Sequence, residues 1–70
     1  MQINQHFIHS ELQSLVKGSK VIFKNEKGKV KVFFLKNDFY FITFDGNEIE
    51  TTKDLNAIYE TVVGVLEINK

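Results

Sequence analysis

An α+β fold, an antiparallel meander of three to four strands flanked by an N-terminal and a C-terminal helix, is what the sequence predicts. Apolar residues recur at helical spacing only near the two ends of the chain. Between them lie three short runs rich in Val, Ile and Phe, set apart by Gly, Asn and Asp turn chemistry with no proline anywhere. The length of 70 residues holds one domain, residues 1–70.

The first helix is expected over residues 4–17. Ile8, Leu12, Leu15 and Val16 follow the i, i+4, i+7, i+8 spacing of one apolar stripe, and Gly18 is a natural stop. Two starts fit. Asn4 as N-cap lets Ile3 pack on Ile8, and Ser10 as N-cap lets Gln13 reach back; the first is preferred because it also uses Phe7.

Strands are expected at 20–24, 29–35 and 39–44. Asp45-Gly46 is the strongest hairpin signal, because a type I′ turn needs positive φ at both central residues, and it implies a short fourth strand over 47–51. Reading Asn37-Asp38 as a two-residue turn as well sets Phe34 against Phe41 and Phe33 against Ile42. One face then carries Val30, Val32, Phe34, Phe39 and Phe41. The other carries Phe33, Leu35, Tyr40, Ile42, Phe44 and Ile49.

The second helix starts after Thr51-Thr52-Lys53-Asp54, which reads as a capping segment, and runs through Leu55, Ile58, Tyr59, Val62 and Val63. Residues 62–68 are β-branched with Gly64 inside, so their last part reads equally as helix or as an edge strand.

The absence of cysteine excludes a disulfide or a thiolate zinc site as the staple that so small a domain often uses, leaving packing or association with another chain. The apolar share of 43% and charged share of 26% are those of a folded globular protein. The longest apolar stretch, 62–66, is far short of the roughly 20 residues of a membrane span, and the N-terminus lacks a basic-then-apolar leader. A cytoplasmic protein without membrane contact is expected.

Functionally, two apolar sheet faces are more than one short chain is expected to cover. An antiparallel sheet with one wet side should alternate apolar and polar residues, and the central strands do not. The expectation is a small non-enzymatic interaction protein, homodimeric or bound to a protein partner through Phe33, Leu35, Tyr40, Ile42 and Phe44.

Nucleic-acid binding is the alternative. Net charge is zero, yet residues 17–36 hold seven of the nine lysines against Glu26 alone, and Lys20, Lys24, Lys29 and Lys31 with Phe23 and Phe33 nearby suit phosphates and unstacked bases. The lack of arginine weighs against sequence-specific readout. The predicted element order resembles that of double-stranded-RNA-binding domains. Those domains begin their second helix with a basic run, whereas Thr51, Thr52, Lys53 and Asp54 stand here, so their function is not carried over.

His6 and His9, spaced i, i+3, would share a helix face but lack a third metal ligand. Residues 45–50 have the flavour of a calcium loop without its spacing and read as a turn. No nucleophile-and-base motif or glycine-rich phosphate loop is found, so neither an enzyme, a cofactor nor a small-molecule substrate is expected.

Overall fold

A computed structural model describes residues 5–68. The order is α1 (Gln5–Ser14), β1 (Lys20–Asn25), β2 (Gly28–Phe34), β3 (Tyr40–Phe44), β4 (Asn47–Thr52) and α2 (Leu55–Val65). The four strands form one antiparallel sheet in sequential order, as the meander reading requires.

Helix α1 runs straight through Ser10, so the later start does not occur, and Asn4 lies outside the described residues. Its C-terminal end comes at Ser14, earlier than expected. The Ser14 hydroxyl donates to the Ser10 carbonyl, and the Leu15 amide turns back to the Leu12 carbonyl. Gly18, at φ +90°, then donates its amide to the Phe34 carbonyl at 2.7 Å, which ties the linker to β2.

Helix α2 begins at N-cap Asp54, whose carboxylate accepts the Asn56 amide at 2.9 Å. It continues to Val65, and the edge-strand reading of its last residues is not adopted. The Glu67 amide donates to the Gly64 carbonyl and the Ile68 amide to the Val63 carbonyl, with Glu67 at φ +53°. This is a Schellman closure in which a glutamate takes the left-handed position usually given to glycine. The Asn25 side-chain amide donates to the Leu66 carbonyl at 2.9 Å, so the first hairpin caps the second helix.

Both helices lie on the same side of the sheet. Ile8 and Leu12 of α1 and Ile58, Tyr59, Val62 and Val63 of α2 join Phe23, Val30, Val32, Tyr40 and Ile42 in one core, closed at the helix end by Leu66. Phe7 meets Phe23 edge-on at 6.1 Å. This is the helices-on-one-face arrangement of an α+β domain.

The β2–β3 register corrects the sequence reading. The loop has three residues, Lys36 to Asp38: the Leu35 amide donates to the Phe39 carbonyl, the Asp38 amide to the Leu35 carbonyl, and only Asp38 has positive φ, at +72°. Phe34 therefore pairs with Tyr40, Phe33 with Phe41 and Val32 with Ile42. A shift of one residue moves every β3 side chain to the other face. Tyr40, Ile42 and Phe44 join Val30, Val32 and Phe34 on the inner face, and Phe41 joins Phe33 on the outer one.

The Asp45-Gly46 turn is as expected, with φ of +51° and +90°. Strand β4 carries a bulge opposite Ile42 and Thr43, in which Ile49 is the extra residue.

Candidate functional site

Because both helices occupy one side, the other side of the sheet is bare among the described residues. Alternation along each strand and the pairing across strands place its side chains in rows. Lys20, Phe33, Phe41 and Thr51 form one row, and Ile22, Lys31, Thr43 and Glu48 the next. Lys24 pairs with Lys29, whose amide donates to the Asp45 carboxylate at 3.0 Å. At the opposite end Leu35 and Phe39 are joined through the backbone at 2.8 Å.

Three phenylalanines are half-buried here, and lysines stand over two of them. The rings of Phe33 and Phe41 lie 5.8 Å apart at 54°. Lys20 Nζ is 5.7 Å from the centre of the Phe33 ring, and Lys53 Nζ is 5.0 Å from that of Phe39. In the next row Thr43 is 8% exposed, and Lys31 beside it is half-buried. Ile22 stays 45% exposed.

Lysines on edge strand β1 have an ordinary role, which is to discourage pairing with another sheet. That role explains Lys20 and Lys24. It does not explain Lys29 and Lys31, since β2 is an interior strand with a neighbour on each side.

Charge is divided unevenly between the two layers, although the strands and their turns carry Glu26, Asp38, Asp45, Glu48 and Glu50 among the lysines. Neither helix contains a lysine, whereas Glu11 lies on α1, Glu60 on α2, Asp54 caps the start of α2 and Glu67 follows its end. On the bare face Glu48 is the acid within a strand, and it accepts a hydrogen bond from the Thr51 hydroxyl at 3.2 Å. Glu50 points to the helix side, where its carboxylate is 2.5 Å from the Thr61 hydroxyl.

The five residues expected to form one apolar anchor do not share a face. Tyr40 and Ile42 are core residues under the helices, and Phe44 packs against that core with its ring over Gly28. Phe33 and Leu35 remain on the open side. The four lysines of the alternative reading are brought together there, although Phe23, considered beside them, is fully buried on the inner face. Phe39, Phe41 and Lys53 were missed as members of this surface. A three-residue loop at Lys36 to Asp38 is the signal that would have placed the two phenylalanines.

Around this surface, Lys17 pairs with Asp38, binding the α1–β1 linker to the β2–β3 loop. The hydrogen bond and charge of Lys17 hold the Asp38 carboxyl below the ordinary aspartate value, with a smaller pull from Lys53. On the helix side His9 stacks on Tyr59 at 4.0 Å and His6 is exposed. Among the described residues no group of three His, Cys, Asp or Glu side chains is placed to hold a metal ion, and no helix is long and apolar enough to cross a membrane.

Compared with known proteins, the chain matches no family model, no curated protein and no solved structure.

Proposed function

We propose that the chain is a non-catalytic binding module that holds nucleic acid against the bare face of its sheet. The observation that carries this reading is the gathering of Lys20, Lys24, Lys29 and Lys31 on the face that also bears Phe33, Phe39 and Phe41. Ammonium groups neutralise phosphates and release their counterions, and rings beside them add contact with bases. Zero net charge is no obstacle, because four of the nine balancing carboxylates, those of Glu11, Asp54, Glu60 and Glu67, belong to the helices and their ends, and Glu50 faces the helix side. Without arginine the contact is one of charge and shape with little base-specific readout. A cytoplasmic location belongs to the same proposal.

The test is fluorescence anisotropy of a labelled oligonucleotide across a salt series. With four lysines on phosphates, at about −0.7 per contact for a single strand, log affinity should fall against log salt with a slope of about −3. An oligonucleotide whose anisotropy stays flat on titration at low salt overturns the reading.

A second reading has support from the same face, since Ile22, Phe33, Leu35, Phe39 and Phe41 leave apolar surface uncovered that a second copy of the chain could bury. It is disfavoured by charge: two copies face to face bring the lysines of both into a desolvated layer with few carboxylates. Molar mass measured over a concentration series separates the two, because self-association through rings persists at high salt and phosphate contact does not.

A further inference from the structure

Resting on the proposed nucleic-acid reading, we infer that the ligand is a single strand whose bases lie unstacked on Phe33 and Phe41, with Phe39 as a third platform. The two central rings are direct cross-strand partners with centroids 5.8 Å apart. Their planes are inclined by 54°, whereas stacked bases lie parallel, so bases seated face-on against both rings cannot remain stacked on each other. A duplex hides its base faces inside the stack. It would reach the lysines with its phosphates and leave the phenylalanines against backbone, where rings contribute little. An open sheet whose aromatic rings lie among cations is a surface for splayed bases.

The lysines over the rings fit the same picture. Lys20 Nζ and Lys53 Nζ stand 5.7 and 5.0 Å from the ring centres, where a stacked base would come to rest. Both stems are flexible and both side chains are exposed, so an arriving base displaces the ammonium group toward the adjacent phosphate, exchanging a cation–π contact for a charge-assisted one. The polar side chains in the same row are Lys20 and Thr51, and those in the next are Lys31, Thr43 and Glu48, whereas stacking uses a π-face that every base has. The surface therefore reads bases as bases and tolerates their sequence.

The experiment compares four labelled probes of about twelve nucleotides, within the span of a single-strand site of this kind. These are oligothymidine, oligouridine, a mixed-sequence DNA duplex and an abasic deoxyribose-phosphate strand of the same length. A base-bearing single strand should bind about tenfold or more tighter than the abasic strand, and tighter than the duplex despite its lower charge density. The ribo and deoxyribo arms separate RNA from DNA as the source, and discrimination by either one supports the inference. F33L/F41L, which keeps apolar volume and removes the π-faces, should bind base-bearing and abasic strands alike with the salt slope unchanged; circular dichroism confirms that it is folded. A duplex bound as tightly as the single strand, or an abasic strand bound as well as a base-bearing one, overturns the inference and leaves charge contact standing. Absence of binding by all four probes at low salt overturns the underlying reading as well.

Discussion

Phe33 on β2 and Phe41 on β3 are direct partners across the sheet, their rings 5.8 Å apart, on the side that neither helix covers. One residue along the chain, Ile42 points the other way and is fully buried beneath the helices. Two consecutive side chains thus belong to the surface and to the core. Replacing Ile42 by Ala should lower stability by about 2–5 kcal/mol, the usual range for truncating a buried aliphatic side chain. Replacing Phe41 by Ala should cost about 1 kcal/mol, since a cross-strand ring pair is lost while the core stays intact. Urea denaturation of both variants measures the contrast, and equal losses would mean that the outer ring is structurally as important as the core.

Charge reversal at Lys29 and Lys31 tests the surface without touching the core. Both residues lie on the bare face of an interior strand, so the K29E/K31E variant should unfold at nearly the wild-type temperature. Its oligonucleotide binding should be abolished at low salt, where the wild-type protein binds best. Thermal melting and anisotropy on the same preparation check the two halves of this expectation.

Gly28 closes the first hairpin at φ +152°, and a Cβ there would lie 2.6 Å from the Phe44 ring and 2.9 Å from the Asp45 carboxylate. Gly28→Ala combines a backbone conformation that favours glycine with overpacking against a ring held on two sides. A loss of about 1–3 kcal/mol is expected. A denaturation midpoint unchanged from wild type would show that Phe44 swings away freely.

Acid should loosen the joint between Lys17 and Asp38. The folded-state value of the Asp38 carboxyl lies below its unfolded one, held there first by the hydrogen bond and charge of Lys17. The unfolded chain therefore binds the proton more readily. The stabilisation is complete above the ordinary aspartate value and fades as pH falls through the depressed one. Both side chains are largely exposed, so the effect is small and sensitive to salt. The difference in melting temperature between wild type and Asp38→Asn should shrink as pH falls through that window, and a difference constant with pH would contradict the assignment.

Much of this architecture is legible in the residues, and the part that is not has a definite physical origin. Asp45-Gly46 announces its hairpin because aspartate and glycine both tolerate the positive φ that a two-residue turn demands. Asn37-Asp38 resembles it, but without a glycine only Asp38 adopts positive φ, and the chain gains a third loop residue. Since strand side chains alternate with a period of two, that residue decides which face Tyr40, Ile42 and Phe44 occupy. The lysine cluster was visible within β1 and β2 because Lys20 and Lys24, like Lys29 and Lys31, follow the same alternation. Its companions Phe39 and Phe41 were hidden by the slip in register. The end of α2 was ambiguous for another reason: β-branched Val62, Val63 and Val65 favour a strand locally, and burial against the sheet together with the closure at Glu67 and Ile68 outweighs that preference.

The lysine-free helices have one more consequence, for behaviour on a charged support. At a pH of about 6.7, where the whole chain sums to zero, a protein with evenly mixed charge would pass through both kinds of ion exchanger. Here a sulfonate resin meets the ammonium groups of one layer before it senses the carboxylates of the other. The protein should therefore be retarded on a cation exchanger at its own isoelectric point, bound with the strands toward the bead and both helices toward the mobile phase.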